Sequence, residues 1–340
     1  MTDQSDAAPI TILQAINSAL NDAMEFDEAV IVLGEDVADP EDGGVLGVTK
    51  GLSSRFGDDR VRSTPISEQA IVGAAIGASL VGYKPVAEIM LMNFTTVAMD
   101  MIVNHAAKLR FMSGGQTNVP IVIRTMTGTG FGSGGQHSDY LEAWFAHTPG
   151  MKVVAPSNPM DAYGLMRAAI DDPDPVLYIE NLPAYWIPGP PAEKGFTVPL
   201  GKALVAKEGA DVTIVSYSRT LIEALGAVEQ MEAAGVSAEI IDLRTISPWD
   251  KETIYASVAK TGRCLIVHEA VTAFGVGAEI AATLQSRFFG KLKAPVGRLG
   301  APYAPVPFSK PLESAYAPDS RSIADTAIAL ATKEHSIDGN

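Results

Sequence analysis

The sequence has almost no cysteine. Cys264 stands alone among 340 residues, so no disulfide can close within the chain. It lies in the apolar run Cys264–Val267, where a thiol behaves as a small buried hydrophobe rather than a nucleophile. Basic side chains are also in deficit, with 25 Lys and Arg against 40 Asp and Glu and a formal net charge of −15. Nucleic acid and anionic membrane surfaces reward the opposite sign, so neither is expected as a partner. No apolar stretch approaches the ~18 residues of a membrane span. Residues 1–9 lack the basic and apolar regions of a secretory signal, which makes the cytoplasm the expected location. The chain also lacks zinc-like spacing of His and Cys, a Gly-x-Ser-x-Gly elbow and the Gly-Lys-Ser/Thr ending of a Walker A loop.

What is present is the material of a large core. Hydrophobic residues make up 47% and charged residues 19% of a chain whose length suits two domains. Residues 11–25 carry apolar positions at helical spacing, with Thr11 placed to cap them. Short apolar runs at 29–33, 85–91, 119–125, 151–155 and 175–180 predict buried parallel strands. Helices are expected at 67–81, 95–111 and 159–171. Gly73, Ala74, Ala75, Gly77 and Ala78 in the first of these leave room for close approach of another element. Five prolines and two glycines in 181–199 interrupt both helix and sheet and predict a linker. Beyond it, strands are expected at 212–217, 238–243, 264–268 and 296–299, separated by helices near 220–234, 250–259, 275–287 and 320–332. Such alternation predicts an α/β chain of two doubly wound domains with mostly parallel sheets, over 1–188 and 200–335.

Two segments draw attention as sites. Spacing leaves two roles open for Glu68, which ends Thr64-Pro65-Ile66-Ser67-Glu68. It is either a first-turn carboxylate favoured by the helix dipole, with Thr64 or Ser67 as cap, or a carboxyl at a sheet rim where open α/β folds place ligands. Thr127–Asp139 holds five glycines, which let backbone approach a ligand closely, and carries His137 at its end. That histidine is either solvated or a general acid–base. Gly130, Gly132 and Gly135 meet a dinucleotide spacing, but so glycine-rich a run matches by chance, and no acidic residue stands ~20 positions on. His105 fits a structural place in its helix and His147 a helix end. His268-Glu269 is expected at a sheet rim with a capping or interface role.

Taken together, Gly34-Glu35-Asp36-Val37, Gly43-Gly44-Val45, Thr49-Lys50-Gly51-Leu52, Thr64–Glu68, Asn93-Phe94, Gln136-His137-Ser138, His147–Val154 and Leu243–Pro248 occur in order. The ordered set, over about residues 10–332, resembles the β subunit of the first component of 2-oxo acid dehydrogenase complexes. The resemblance implies a pyrimidine-binding domain followed by a transketolase-like C-terminal domain. It implies thiamine diphosphate as cofactor, with Glu68 bonding the N1′ nitrogen of the aminopyrimidine and Ile66, Met90 and Phe94 lining its pocket. His137 matches the histidine of proton transfer or of the lipoyl-acceptor step. Ile121, Ala169, Asp172 and Asp174 match a potassium-like site built largely of backbone carbonyls. The diphosphate and Mg²⁺ are implied to sit on an α subunit, since no Gly-Asp-Gly occurs here, in an α₂β₂ heterotetramer that meets a lipoyl-bearing acyltransferase core. Gly44–Lys50 is similar to acetoin dehydrogenase β subunits more than to typical pyruvate ones, so the substrate is expected to be acetoin or a small 2-oxo acid such as pyruvate. Ser133 and Asp139 match no subgroup.

Three other readings compete with this one. A split transketolase-like or deoxyxylulose-phosphate-synthase-like enzyme would need basic side chains for sugar phosphates, and Arg124 is the nearest to the glycine segment. A noncatalytic assembly subunit would have dispensed with Glu68 or His137. A nucleotide-binding Rossmann protein would need a better fingerprint.

Overall fold

A computed structural model describes residues 8–332. The beginning of the expected first domain and the last residues of the expected second lie outside the described residues. The chain folds as two units. The first runs to Gly128 and takes in Gln136–Leu200 and Ile246–Pro248. The second holds Thr129–Gly135, Gly201–Thr245 and the chain from Trp249 onward. The stretch 181–199, expected as a linker, lies in the first unit, where it forms a 3-10 turn at Pro183–Trp186 and a short strand.

The strands in chain order are β1 (Ile10–Thr11), β2 (Val30–Gly34), β3 (Val61–Ser63), β4 (Lys84–Leu91), β5 (Val122–Thr127), β6 (Lys152–Val154), β7 (Val176–Asn181), β8 (Pro188–Gly189), β9 (Leu204–Lys207), β10 (Val212–Ser216), β11 (Ala238–Asp242), β12 (Thr245–Ser247), β13 (Cys264–Val271) and β14 (Gly297–Ala301). The first unit is built on the sheet β12-β6-β7-β5-β4-β2-β3. Its neighbours from β6 to β3 pair parallel. The second unit is built on β14-β13-β10-β11-β9, parallel except for the antiparallel edge strand β9. Both sheets agree with the expected α/β class.

Local sequence explains most elements. Thr11 and Gln14 form a reciprocal capping box on helix Ile12–Phe26, whose Ile12, Ala15, Ile16, Ala19, Leu20 and Ala23 recur at helical spacing and are buried. The long helix expected at 95–111 is a correction. The path is helical but broken into a 3-10 turn at Met92–Thr96, a π-helical stretch at Met101–Ala106 and a short α-helix at Leu109–Met112. The amide of Ala107 donates to the Ile102 carbonyl, five residues back. The wide turn sits where the Ala107 carbonyl abuts Gly150, at which an added Cβ would come within 1.9 Å. The helix expected at 220–234 is likewise divided, into Ser218–Gly226 and Val228–Ala233.

At the centre of the first sheet lies a charge that hydropathy does not announce. Arg124 on β5 is fully buried. Its Nε and Nη2 donate to the two carboxylate oxygens of Glu180 at 2.7 and 2.8 Å, and its Nη1 donates to Glu88 at 2.5 Å. The Tyr185 hydroxyl closes the set on Glu180. Burial alone would push the guanidinium down, but Glu180 and Glu88 more than offset it and hold it charged. In the second unit His268 is a further correction. It lies within β13, fully buried, rather than at an open rim. Its Nδ1 meets the Ala270 carbonyl at 3.0 Å, and Gly275, Gly277 and Gly300 leave space for the ring, since a Cβ at any of them would approach it to 3.0 Å or less.

Arg124→Leu leaves Glu88 and Glu180 buried without their cation and should cost about 3–5 kcal/mol in urea unfolding; a loss below ~1 kcal/mol would show that the clamp is dispensable. Burial pushes the His268 pKa down from 6.5 to about 4, so its neutral form stabilises the fold above pH 6.5 and that contribution is lost as pH falls toward 4. The urea midpoint of the wild type should therefore drop across this window more steeply than that of His268→Gln, and identical profiles would refute the assignment.

Candidate active site

Parallel strands deliver their C-terminal ends to one rim, and the loops that follow share it. In the first unit Glu35 follows β2, Thr64–Glu68 follows β3, Asn93 and Phe94 follow β4, and Gln136 and His137 rejoin the unit after β5. The amide of Thr64 donates to the Gly34 carbonyl at 2.8 Å, carrying the β2–β3 ladder on towards Glu68. Gly34 itself has no room for a side chain, because a Cβ would meet that of Glu88 at 2.9 Å.

Glu68 is the first residue of helix Glu68–Leu80, where the dipole favours a carboxylate. Ser67 is its N-cap but its side chain makes no capping bond, and neither does that of Thr64. Glu68 is only 9% exposed, yet among the described residues it has no hydrogen bond or ion pair. Burial, and then the charges of Glu68, Asp36 and Glu88, raise the pKa of Glu35. Burial raises Glu88 too, against the pull of Arg124. Glu35 and Glu88 thus hold their protons more readily than free carboxyls. A cavity of about 10 Å³, the size of one water, lies among Gly44, Val45, Met90 and Thr125. The Thr125 hydroxyl that lines it is buried with no partner among the described residues. A cavity of about 900 Å³ opens where β6 and β7 begin, at the opposite end of the sheet, lined by Arg110, His147 and Gly150.

Met90 and Phe94 are half-buried, and Ile66 is 82% exposed. His137 is exposed in the short helix Gly135–Ser138, with its ring edge-on to Phe94 at 5.5 Å. Ile121, Ala169, Asp172 and Asp174 are already engaged with the protein. The Ile121 carbonyl accepts from Val176, and the Ala169 carbonyl from Asp172. The Asp172 carboxylate holds Lys152 at 2.6 and 2.7 Å, and Asp174 holds Arg110 at 2.6 Å. His105 is exposed beside Asp100, and His147 follows helix Glu142–Ala146. Glu35 and Glu88 also stand at the rim end of the sheet, although local pattern assigns no role to either. The available signal was a lone carboxyl inside the apolar strand at 85–91.

In the second unit the early part of the glycine-rich segment is held by buried carboxylates. Glu269 accepts from the Thr129 amide at 2.7 Å and from its hydroxyl at 2.8 Å. Glu313 accepts from the amides of Gly130 and Gly132 at 2.7 and 2.9 Å. Arg219 donates to the Thr129 carbonyl at 2.9 Å. Glu269 is therefore a buried anchor rather than a rim residue. Neither this role nor that of Glu313 has a local signature, because the partners lie 140 and 183 residues apart.

The geometry agrees with the comparisons. The transketolase pyrimidine-binding domain matches residues 8–185, and the transketolase C-terminal domain matches residues 201–323. The chain is 44% identical over 329 residues to the β subunit of acetoin:2,6-dichlorophenolindophenol oxidoreductase from Cupriavidus necator, covering 94% of this chain and 97% of that one. It is 44% identical over 321 residues to the pyruvate dehydrogenase E1 component subunit beta-1, mitochondrial, of Arabidopsis thaliana, covering 93% and 88%. It is 42% identical to the corresponding E1 β subunit of Bacillus subtilis, covering 94% and 98%. A solved structure described as a split-gene transketolase, inactive beta4 tetramer, shares the fold with a TM-score of 0.78 at 22% identity, covering 95% and 99%. Among the described residues no helix is long and apolar enough to cross a membrane. With a carboxyl-lined rim on a transketolase-type pyrimidine-binding unit and relatives of more than 40% identity along nearly its whole length, the chain belongs to the β-subunit family of the thiamine-diphosphate-dependent pyruvate and acetoin dehydrogenases.

Proposed function

We propose that this chain is the β half of a dehydrogenase first component that acts on acetoin, or on pyruvate, and passes the acyl group to a lipoyl acceptor. The observation that carries the reading is Glu68, a buried carboxyl with no hydrogen-bond or ion-pair partner among the described residues, set beside a second carboxyl of raised pKa. An aminopyrimidine ring nitrogen suits this position, because it would share a proton with the carboxyl and relieve the repulsion around it. The apolar side chains of Ile66, Met90 and Phe94 would line the ring. When bound, thiamine diphosphate supplies the electron sink that lets the carbon–carbon bond beside the carbonyl break. Glu68 holds and exchanges the proton at N1′. The exposure of His137 and its edge-on contact with Phe94 support it as the group that donates or takes a proton during acyl transfer.

The charged end of the cofactor calls for other groups. The chain contains no Gly-Asp-Gly, and Arg124 is committed to Glu88 and Glu180, so it cannot bind a phosphate. This disfavours a sugar-phosphate substrate and supports an α subunit as the holder of diphosphate and Mg²⁺. The surface supports a partner as well. Helix Glu68–Leu80 is apolar nearly all round, yet Ala70, Ala74 and Gly77 are exposed, and a Cβ at Gly77 would meet nothing within 4 Å. Such a helix suits close packing against another subunit in an α₂β₂ assembly. The similarity of Gly44–Lys50 to acetoin enzymes puts acetoin first. Ile121, Ala169, Asp172 and Asp174 are proposed as a potassium-like site only through backbone carbonyl lone pairs left free by the bonds described above.

Glu68→Gln, co-expressed with the α subunit, should assemble normally and lose at least ~100-fold in kcat for dye reduction with acetoin or pyruvate. Turnover within a few-fold of wild type would remove Glu68 from this role. By calorimetry the isolated chain should bind thiamine diphosphate and Mg²⁺ only weakly, and the αβ assembly tightly. Stoichiometric submicromolar binding by the isolated chain would contradict a shared site.

A further inference from the structure

Asp139 matched no subgroup in the sequence, and the function proposed above does not use it. It lies two residues beyond His137, half-buried, on the same unit as Asn93 and Phe94. The Asn93 amide makes two bonds to it. Its Nδ2 donates to Asp139 Oδ2 at 2.9 Å, and its Oδ1 accepts from the Asp139 backbone amide at 3.3 Å. The Thr127 hydroxyl, at the end of β5, donates to the Asp139 carbonyl at 2.7 Å. The Leu141 amide reaches Met92 Sδ at 3.3 Å. The backbone leaving His137 is therefore stitched at 139 and 141 to the turn that follows β4 and to the end of β5. That same turn carries Phe94, whose ring meets His137 edge-on at 5.5 Å.

Glycine-rich chain has the largest conformational freedom of any backbone, and a histidine next to it would otherwise sample many positions. A carboxyl is costly to bury, and burial does raise the pKa of Asp139 against the lowering effect of Asn93. Only a residue with a side-chain acceptor at 139 can close both halves of the Asn93 bond pair. Alanine would keep the backbone half alone.

We propose that Asn93 and Asp139 form a clamp that positions His137 against Phe94 for the acyl-transfer step. Neither clamp residue is a catalytic residue; each acts through the placement of His137. The proposal rests on the reading in which His137 serves that step, and the experiment separates the two.

The test uses the αβ assembly and compares two rates for each variant: reduction of 2,6-dichlorophenolindophenol, which bypasses the lipoyl group, and acyl transfer to a lipoyl domain. Asp139→Ala and Asn93→Ala should each lower the ratio of transfer to dye reduction by between ~10-fold and ~100-fold, the scale of a misplaced reacting group. The double variant should lose no more than the worse single one, because both remove one interaction. Asp139→Asn, which keeps an acceptor oxygen for Asn93 Nδ2, should recover most of the ratio. His137→Ala is the reference. If it loses transfer while Asp139→Ala and Asn93→Ala keep the wild-type ratio, the clamp is refuted and the role of His137 stands. If His137→Ala keeps the wild-type ratio, the role of His137 falls and the clamp with it. Equal loss of both rates in the alanine variants, or no recovery in Asp139→Asn, would mark the pair as merely structural and overturn the proposal. Should Asp139→Ala fail to assemble, Asn93→Ala and Asp139→Asn decide by the same ratio.

Discussion

A guanidinium held at the centre of a parallel sheet sets the terms for the first unit. Arg124 can stay charged there only because Glu180 grips it with both oxygens and Glu88 with one. These residues stand on three adjacent strands, with Glu88 opposite Arg124 in register and Glu180 two residues beyond its partner on β7. A slip of one residue between any two of these strands would turn a charge away from its partner, so the clamp specifies register as well as neutrality. It also leaves the neighbourhood acidic, because two carboxylates meet one cation before Glu35 and Glu68 are counted.

That residual acidity is what makes the rim chemically useful. Carboxyls crowded in a poorly solvated place hold protons that isolated ones release. Burial raises both Glu35 and Glu88; the charges of Glu68 and Asp36 push Glu35 further up, and that of Glu180 does the same for Glu88. A group presenting a ring nitrogen is welcome where a phosphate is not. The same electrostatics that hold the sheet together therefore favour the proposed aminopyrimidine contact and disfavour a phosphate in the same place.

The glycine-rich segment illustrates a second economy. Its freedom allows close approach to a ligand, yet freedom alone would scatter whatever it carries. Thr129, Gly130 and Gly132 are fixed within the second unit by Glu269 and Glu313. Asp139 is fixed within the first by Asn93 and Thr127. Glycine supplies the path and remote polar side chains supply the position.

The α/β class, most strand positions and the first helix with its Thr11 cap are legible in the order of residues alone, because hydrophobic period and capping are local properties. It also brought out Glu68 and His137, through residue type next to a predicted rim and through a resemblance carried by an ordered set of motifs. What those residues meet is fixed only when the chain folds. The partners of Arg124 are 36 and 56 positions away, Asn93 is 46 from Asp139, and Glu269 is 140 from Thr129. No local period encodes such pairs. The same limit explains the helix at 95–111, whose local propensity yielded to a π-turn against Gly150, and His268, whose place among three glycines is invisible until their loops converge. Local chemistry specifies elements, but burial, charge pairing and backbone contact are properties of residues that meet only when the chain has folded.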